Sequence, residues 1–268
     1  MIYLLRSEFF RLRKRPQAWI LALITVLSVG AFYVSLTIAA SVLSDPTDTE
    51  ESLILPNIFE NGMQIATLIG FILTVVLASG IIGNEYSWNT IRPLLARARS
   101  RSALLSAKWI TVFLYSVALF LLGMLATVGF SAATSSIVGN FEGVSNETLG
   151  EWVISFGRVL ISQLPYVALA FCLALITRSN AVGIAVGIGV GFLEPAIWAM
   201  LGLVTDTFDR IHEFGLEYSS IKLFNMNISG RSTTTSEARE AVAVLGVWTA
   251  LFVVFTYHFF NKRDVTSG

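Results

Sequence analysis

The sequence predicts an all-α polytopic membrane protein. Six transmembrane helices are joined by an N-terminal interfacial helix before span one and a cytoplasmic helix between spans two and three. Three observations carry that prediction. Hydrophobic residues make up 54% of the 268, and charged residues only 13%, about half the roughly 25% of a soluble domain. Uncharged runs long enough to cross a hydrocarbon core of about 30 Å recur along the chain. The formal net charge is zero, yet acids and bases are sorted into different connecting segments.

Residues 1–15 hold Arg6, Arg11, Arg13, Lys14 and Arg15, with Ile2, Leu5, Phe9 and Leu12 on one side of a helix. That pattern suits a short amphipathic helix lying on the membrane surface. The following run, Ala18–Leu43, is 26 residues long, whereas the apolar core of a signal peptide is about 7–15; it is read as span one. Spans two to six are Asn61–Ile82, Trp109–Ser131, Ile154–Ile176, Ala181–Val204 and Ala241–Phe260, so residues 1–268 form one transmembrane domain. Arg158 in span four and Glu194 in span five are exceptions to the exclusion of charge from the runs.

The connecting segments set the orientation. Ser44–Glu60 and Ser135–Trp152 carry acids and no Lys or Arg, whereas bases flank the termini and the segment after span two. Basic flanks stay in the cytoplasm, so both termini and residues 84–109 are expected inside a bacterial plasma membrane. The outer segment Thr205–Glu240 is mixed; within it Tyr218–Ile228 is apolar enough to dip back into the membrane or cap the bundle, or is an ordinary surface loop.

Residues 84–109 read NEYSWNTIRPLLARARSRSALLSAKW and concentrate Arg92, Arg97, Arg99, Arg101 and Lys108. Asn89 or Thr90 is placed to cap a new helix, and Pro93 falls in its first turn, where a missing N–H is harmless. Ile91, Leu94, Leu95 and Ala98 repeat at i, i+3, i+4, i+7, one apolar stripe. Ser100 or Ser102 can start the next helix into span three. Bases alone would fix topology or bind anionic lipid; Glu85, Thr90 and the stripe favour a docking element for a cytoplasmic partner.

Phosphate-loop, zinc-helix and nucleophile-elbow motifs are absent from the chain, and nothing points to nucleic acid. His212 lies in an outer loop and His258 at the inner membrane boundary, so they cannot easily share a metal, and the lone Cys172 excludes an intramolecular disulfide. No catalytic or metal site is expected.

The pattern E-Y-x-x-x-T-I-R-x-L-L-A-R at Glu85–Arg97, S-R at Ser100–Arg101, Lys108 entering span three, P-Y-V-A-L-A at Pro165–Ala170, T-R-S at Thr177–Ser179 and F-x-K-R-D at Phe260–Asp264 resemble the membrane subunits of type-2 ABC exporters, in the bacitracin-resistance, sodium-export and nitrous-oxide-maturation branch. Ala98 and Arg99 depart from it, where Pro and an apolar residue are expected. The resemblance implies a permease without an ATPase site of its own, bound to a cytoplasmic ATP-binding subunit that holds ATP and Mg. A second permease copy or a related permease would complete the path. Glu85, Tyr86, Thr90, Arg92, Leu94, Leu95 and Arg97 would make up the coupling element, with Glu85 pairing with a basic group of the ATPase or of the first helix. A secondary transporter or channel, or a non-transporting scaffold, is the alternative; scarce buried charge and the lack of an inverted repeat disfavour the transporter.

Polar groups inside the spans mark the remaining candidates. An acid near a span's centre costs about 2.5–3.5 kcal/mol on insertion scales, so Glu194 needs a partner: it lines or gates a path, or span five ends near Leu193 and Glu194 sits in an outer vestibule. Gln163, with Pro165, makes a polar bent segment of span four. Gly183, Gly187 and Gly191 form a smooth strip for helix packing, within the subunit or between protomers. Arg158 is expected to snorkel outward toward Glu151.

Overall fold

The computed structural model describes residues 2–42, 57–97, 100–138, 146–226 and 235–262. In chain order its helices are α1 (Ile2–Lys14), α2 (Pro16–Val42), α3 (Asn57–Ser87), α4 (Ile91–Arg97), α5 (Arg101–Val138), α6 (Asn146–Thr177), α7 (Asn180–Gly202), α8 (Asp206–His212), α9 (Leu216–Asn225) and α10 (Thr235–Lys262). No strand occurs among the described residues. Helices α2, α3, α5, α6, α7 and α10 are long and apolar enough to cross a membrane.

Several helices outrun the apolar stretches that announce them. At a rise of 1.5 Å per residue the 38 residues of α5 extend about 57 Å, well past a hydrocarbon core of about 30 Å. Hydropathy marks the lipid-bathed part of a helix; capping marks its end. Thus span three, expected from Trp109, begins at Arg101 because the Ser100 hydroxyl accepts the Ala103 N–H at 3.1 Å. Span four likewise begins at Asn146 instead of Ile154, and span two runs on to Ser87. Span five ends at Gly202, two residues short of the expected Val204.

Helix α3 is the axis of the bundle, touching α2, α5, α6 and α7. Of its most apolar stretch 72% is enclosed, against 6% for α7 and 11% for α10, which turn most of their side chains toward lipid or another chain. One apolar cluster fills the end bearing α1 and α4, around Leu77, Ile82, Ile91, Leu105 and Phe171. Two others fill the far half: one around Tyr33, Phe59 and Trp152, the other around Phe71, Tyr166, Leu216 and Leu245.

The glycine strip of α7 packs inside the chain. A methyl group at Gly183 would stand 2.7 Å from the Ala170 carbonyl and the Ser79 hydroxyl, and one at Gly187 2.8 Å from Val75. At Gly191 it would overlap the Phe71 ring. These glycines let α7 close on α3 and α6 although little else of α7 is buried.

Candidate functional site

At the basic end, α1, α3 and α5 meet in a node of buried charge. Glu85 near the end of α3 and Lys108 of α5 are both fully buried, and Glu8 of α1 is 5% exposed. Lys108 Nζ lies 2.5 Å from Glu85 Oε1 and 3.4 Å from each Glu8 oxygen. Arg11 reaches Glu8 at 2.9 Å and Glu85 at 3.5 Å, and Arg15 approaches Glu85 at 3.8 Å. Three cations thus surround two carboxylates, which is how a group as costly to desolvate as a carboxylate stays in a low-dielectric site. Glu85 Oε2 has no hydrogen-bond partner among the described residues.

Glu85 therefore faces the first helix and span three, and its carboxylate is not available at the surface. Tyr86 is half-buried against the basic-end cluster and lies under Arg178, 5.8 Å from the guanidinium carbon to the ring centre, while Arg15 stacks over Trp88 at 5.3 Å. One residue earlier, Asn84 accepts from Asn180 of α7 at 3.2 Å and donates to Gln17 of α2 at 3.3 Å. Three consecutive positions of α3, 84 to 86, thus sit where α1, α2, α5 and α7 converge.

Helix α4 hangs from this node by a closed turn. Asn89 adopts φ 53°, the left-handed region that Asn tolerates better than most residues. Its N–H donates to Tyr86 O at 3.1 Å, and the Thr90 N–H donates to Glu85 O at 2.9 Å, the paired bonds of a Schellman ending. Asn89 and Thr90 accordingly terminate α3, a correction to their expected role as side-chain caps of α4: the Thr90 hydroxyl turns back to Glu85 O at 3.4 Å, and only its carbonyl receives an α4 donor, Leu94 N at 3.3 Å. Ile91 is buried and Leu94 and Leu95 are half-buried against the basic-end cluster, whereas Thr90, Arg92, Pro93 and Ala96 are exposed. The Arg97 side chain and the Ala98–Arg99 segment lie outside the described residues, as do Arg263 and Asp264.

The far end has a second constellation. Helix α7 continues through Glu194 to Gly202, so span five does not stop near Leu193. The Glu194 carboxylate accepts the Leu216 N–H at 2.9 Å, the Glu217 N–H at 3.2 Å and the Trp198 indole N–H at 3.3 Å. It thus caps α9, whose own N-cap residue, Gly215, has no side chain to do so. At the other end of α9, Arg158 Nη1 donates to Met226 O at 3.0 Å. An acid at the N-terminus and a base at the C-terminus also complement the helix dipole. The segment Tyr218–Ile228, as far as it is described, is thus helical and capped onto the bundle, with Ser219 and Leu223 buried; Asn227 and Ile228 lie outside. His212 Nε2 lies 2.8 Å from Glu217 Oε2, with its ring stacked 5.3 Å from Trp198.

Beneath α9 lies a cavity of about 410 Å³ lined by Gln64, Phe71, Gln163, Tyr166, Glu217 and Phe224 among others. Gln163 Oε1 is buried and has no partner among the described residues. Glu194 does not line it; it lines a neighbouring, almost wholly apolar groove with Trp198 and Trp248. Gln163 and Glu194 are thus on opposite sides of α9's attachment.

Glu8, Arg11, Arg15 and the Gln17–Asn84–Asn180 amides are not singled out by the sequence. A signal existed for Glu8: it is the only acid of α1 and sits among the stripe residues Leu5, Phe9 and Leu12. No group of His, Cys, Asp and Glu that could hold a metal occurs among the described residues.

Residues 4–194 match the family described as ABC-2 family transporter protein. A relative from Bacillus subtilis (strain 168), named "Uncharacterized protein YhcI", is 23% identical over an alignment of 212 residues that covers 75% of this chain. The match takes in 66% of that relative's length, just under two thirds.

Proposed function

The chain belongs to the ABC-2 transporter family, and from that premise we propose that it is the membrane subunit of an ATP-driven exporter whose separate ATP-binding subunit docks on α4. The observation that carries this reading is the suspension of α4. Two turns of helix are marginal alone in water, but here the Schellman turn and the buried Ile91 fix α4 to α3. The Glu85–Lys108–Glu8 node then fixes that end of α3 to α5 and α1. A push on the exposed face of α4 is delivered to three helices at once.

In this reading Thr90 and Arg92 meet the partner, and Arg97 adds positive charge at the end of α4. Glu85, Tyr86, Leu94 and Leu95 act from behind as its anchorage. Basic flanks place this end and both termini in the cytoplasm of a bacterial plasma membrane. ATP and Mg belong to the partner subunit, and a second copy or a related permease completes the path. The Glu85–Arg97 pattern favours the bacitracin-resistance, sodium-export and nitrous-oxide-maturation branch. At the far end Gln163 lines the path, and Glu194 gates it through the seating of α9.

The test is site-directed cross-linking. In a Cys172→Ser background co-expressed with an ATP-binding subunit of an ABC exporter, a cysteine at Ala96 should cross-link to that subunit and one at exposed Ile20 should not. Arg92→Glu should weaken the cross-link. Failure of the ATPase to co-purify, or equal cross-linking from both positions, would refute docking on α4.

A further inference from the structure

At the basic end the short connection between α1 and α2 leaves a groove against α5. It holds about 380 Å³, and its lining includes Phe9, Leu12, Arg13, Trp19, Tyr115 and Leu122. Polarity is confined to the rim. The Tyr115 hydroxyl is committed to the Ala18 carbonyl, and the Trp19 indole N–H donates to the Arg13 carbonyl at 2.9 Å. That bond holds an exposed indole at the mouth of the groove, the position tryptophan takes at the head-group level of a bilayer. From Tyr115 to Leu122 the groove follows α5 for about 10 Å toward the hydrocarbon.

Arg13 differs from the other arginines around it. Arg11 is spent on Glu8 and Glu85, and Arg15 on Glu85 and Trp88. Arg13 is exposed at the rim, and no ion pair or side-chain hydrogen bond engages its guanidinium among the described residues. No acid lines the groove, and Lys14 beside it adds positive charge. A guanidinium fork above an apolar trough, at the level of the lipid phosphates, matches a molecule with a phosphate at one end and a hydrocarbon chain at the other.

We propose that this groove is a binding site for one anionic glycerophospholipid, its phosphate on Arg13 and one acyl chain lying along α5. A lipid seated there wedges the angle between α1 and α2 and so bears on the orientation of the helix that carries Glu8 and Arg11. The site needs only that α2 and α5 cross a bilayer, and it stands whether or not an ATPase docks on α4.

Native mass spectrometry of the full chain, delipidated in detergent and titrated with phosphatidylglycerol or with phosphatidylcholine of the same acyl chains, tests this. One phosphatidylglycerol should be retained in preference to phosphatidylcholine. Arg13→Gln should weaken that retention roughly tenfold, the scale of one charge-assisted phosphate contact. Leu122→Trp should do the same by filling the trough, and Ala118→Phe, at an exposed groove position, gives the same reading should Leu122→Trp fold poorly. Arg6→Gln, exposed on α1 outside the groove, should leave retention unchanged. Three results would each overturn the site: wild-type retention in Arg13→Gln, an equal loss in Arg6→Gln, or displacement by glycerol phosphate as effective as by phosphatidylglycerol.

Discussion

Replacing Lys108 by Met removes the only Lys or Arg of the node that is fully buried, and leaves two carboxylates beside an apolar chain. Deleting one partner of a buried ion pair costs about 3–5 kcal/mol, because the other charge stays desolvated. Here the lower end applies, since Arg11 still faces both acids and Arg15 still faces Glu85. A loss of about 3 kcal/mol at roughly 2–4 °C per kcal/mol for a domain of this size lowers Tm by about 6–12 °C. The companion Glu85→Gln/Lys108→Met removes both charges, and a coupling of about 0.5–3 kcal/mol should return much of that loss. Thermal unfolding of the purified protein followed by intrinsic fluorescence reads both variants. The same node ties α1 down, and its ion pairs to α3 and α5 end on Glu85 or Lys108, so limited proteolysis after Arg13 and Lys14 should accelerate in Lys108→Met and in the double variant alike. A wild-type Tm for Lys108→Met, or a double variant less stable than the sum of its parts, would refute the claim that these charges hold one another in place.

Three further outcomes follow from the geometry. Glu194→Ala should remove the cap of α9, worth about 1 kcal/mol, so that amides of residues 216–219 exchange faster with deuterium while the α3 core does not; unchanged exchange would separate Glu194 from α9. Gly187→Leu should overpack α7 against Val75 and Ala170 at about 1–3 kcal/mol, seen as a lower Tm and poorer membrane insertion. Asn89→Ala forces a left-handed backbone on a residue with a β-carbon and no local hydrogen bond, at about 1–2 kcal/mol, whereas Asn89→Gly should retain wild-type stability; equal behaviour of the two would discount the Schellman turn.

The spans were legible because charge is excluded from them, a property of each segment taken alone. What could not be read locally is which polar groups meet. Glu8 and Lys108 are 100 positions apart, and no periodicity within α1 or α5 names the other. Glu194 could be recognised as an acid in need of a partner, since insertion of an unpaired carboxylate is costly. Its partners are backbone amides of a helix whose N-cap is Gly215, and a backbone donor carries no mark in a sequence. The apolar stripe was legible at Ile91, Leu94 and Leu95, but its direction was not: Ile91 and Leu94 turn toward the bundle, leaving Arg92 and Ala96 outward, and only the turn at Asn89 sets that. The glycine strip announced a close approach by its spacing, and which helices approach depended on the whole bundle.

The central claim is that force applied to α4 reaches the spans through the Glu85–Lys108–Glu8 node. It is tested most directly by spin-label distances between exposed sites at Met200 on α7 and Leu68 on α3, in a complex reconstituted with the proposed ATP-binding subunit. Distances are compared without nucleotide and with ADP–vanadate trapped. The wild type should show a nucleotide-dependent change in distance. The Glu85→Gln/Lys108→Met variant, which removes the ion pairs joining α1 to α3 and α5, should still bind the ATP-binding subunit through α4 and show no such change. An undiminished change in that variant would mean that the node does not transmit the movement.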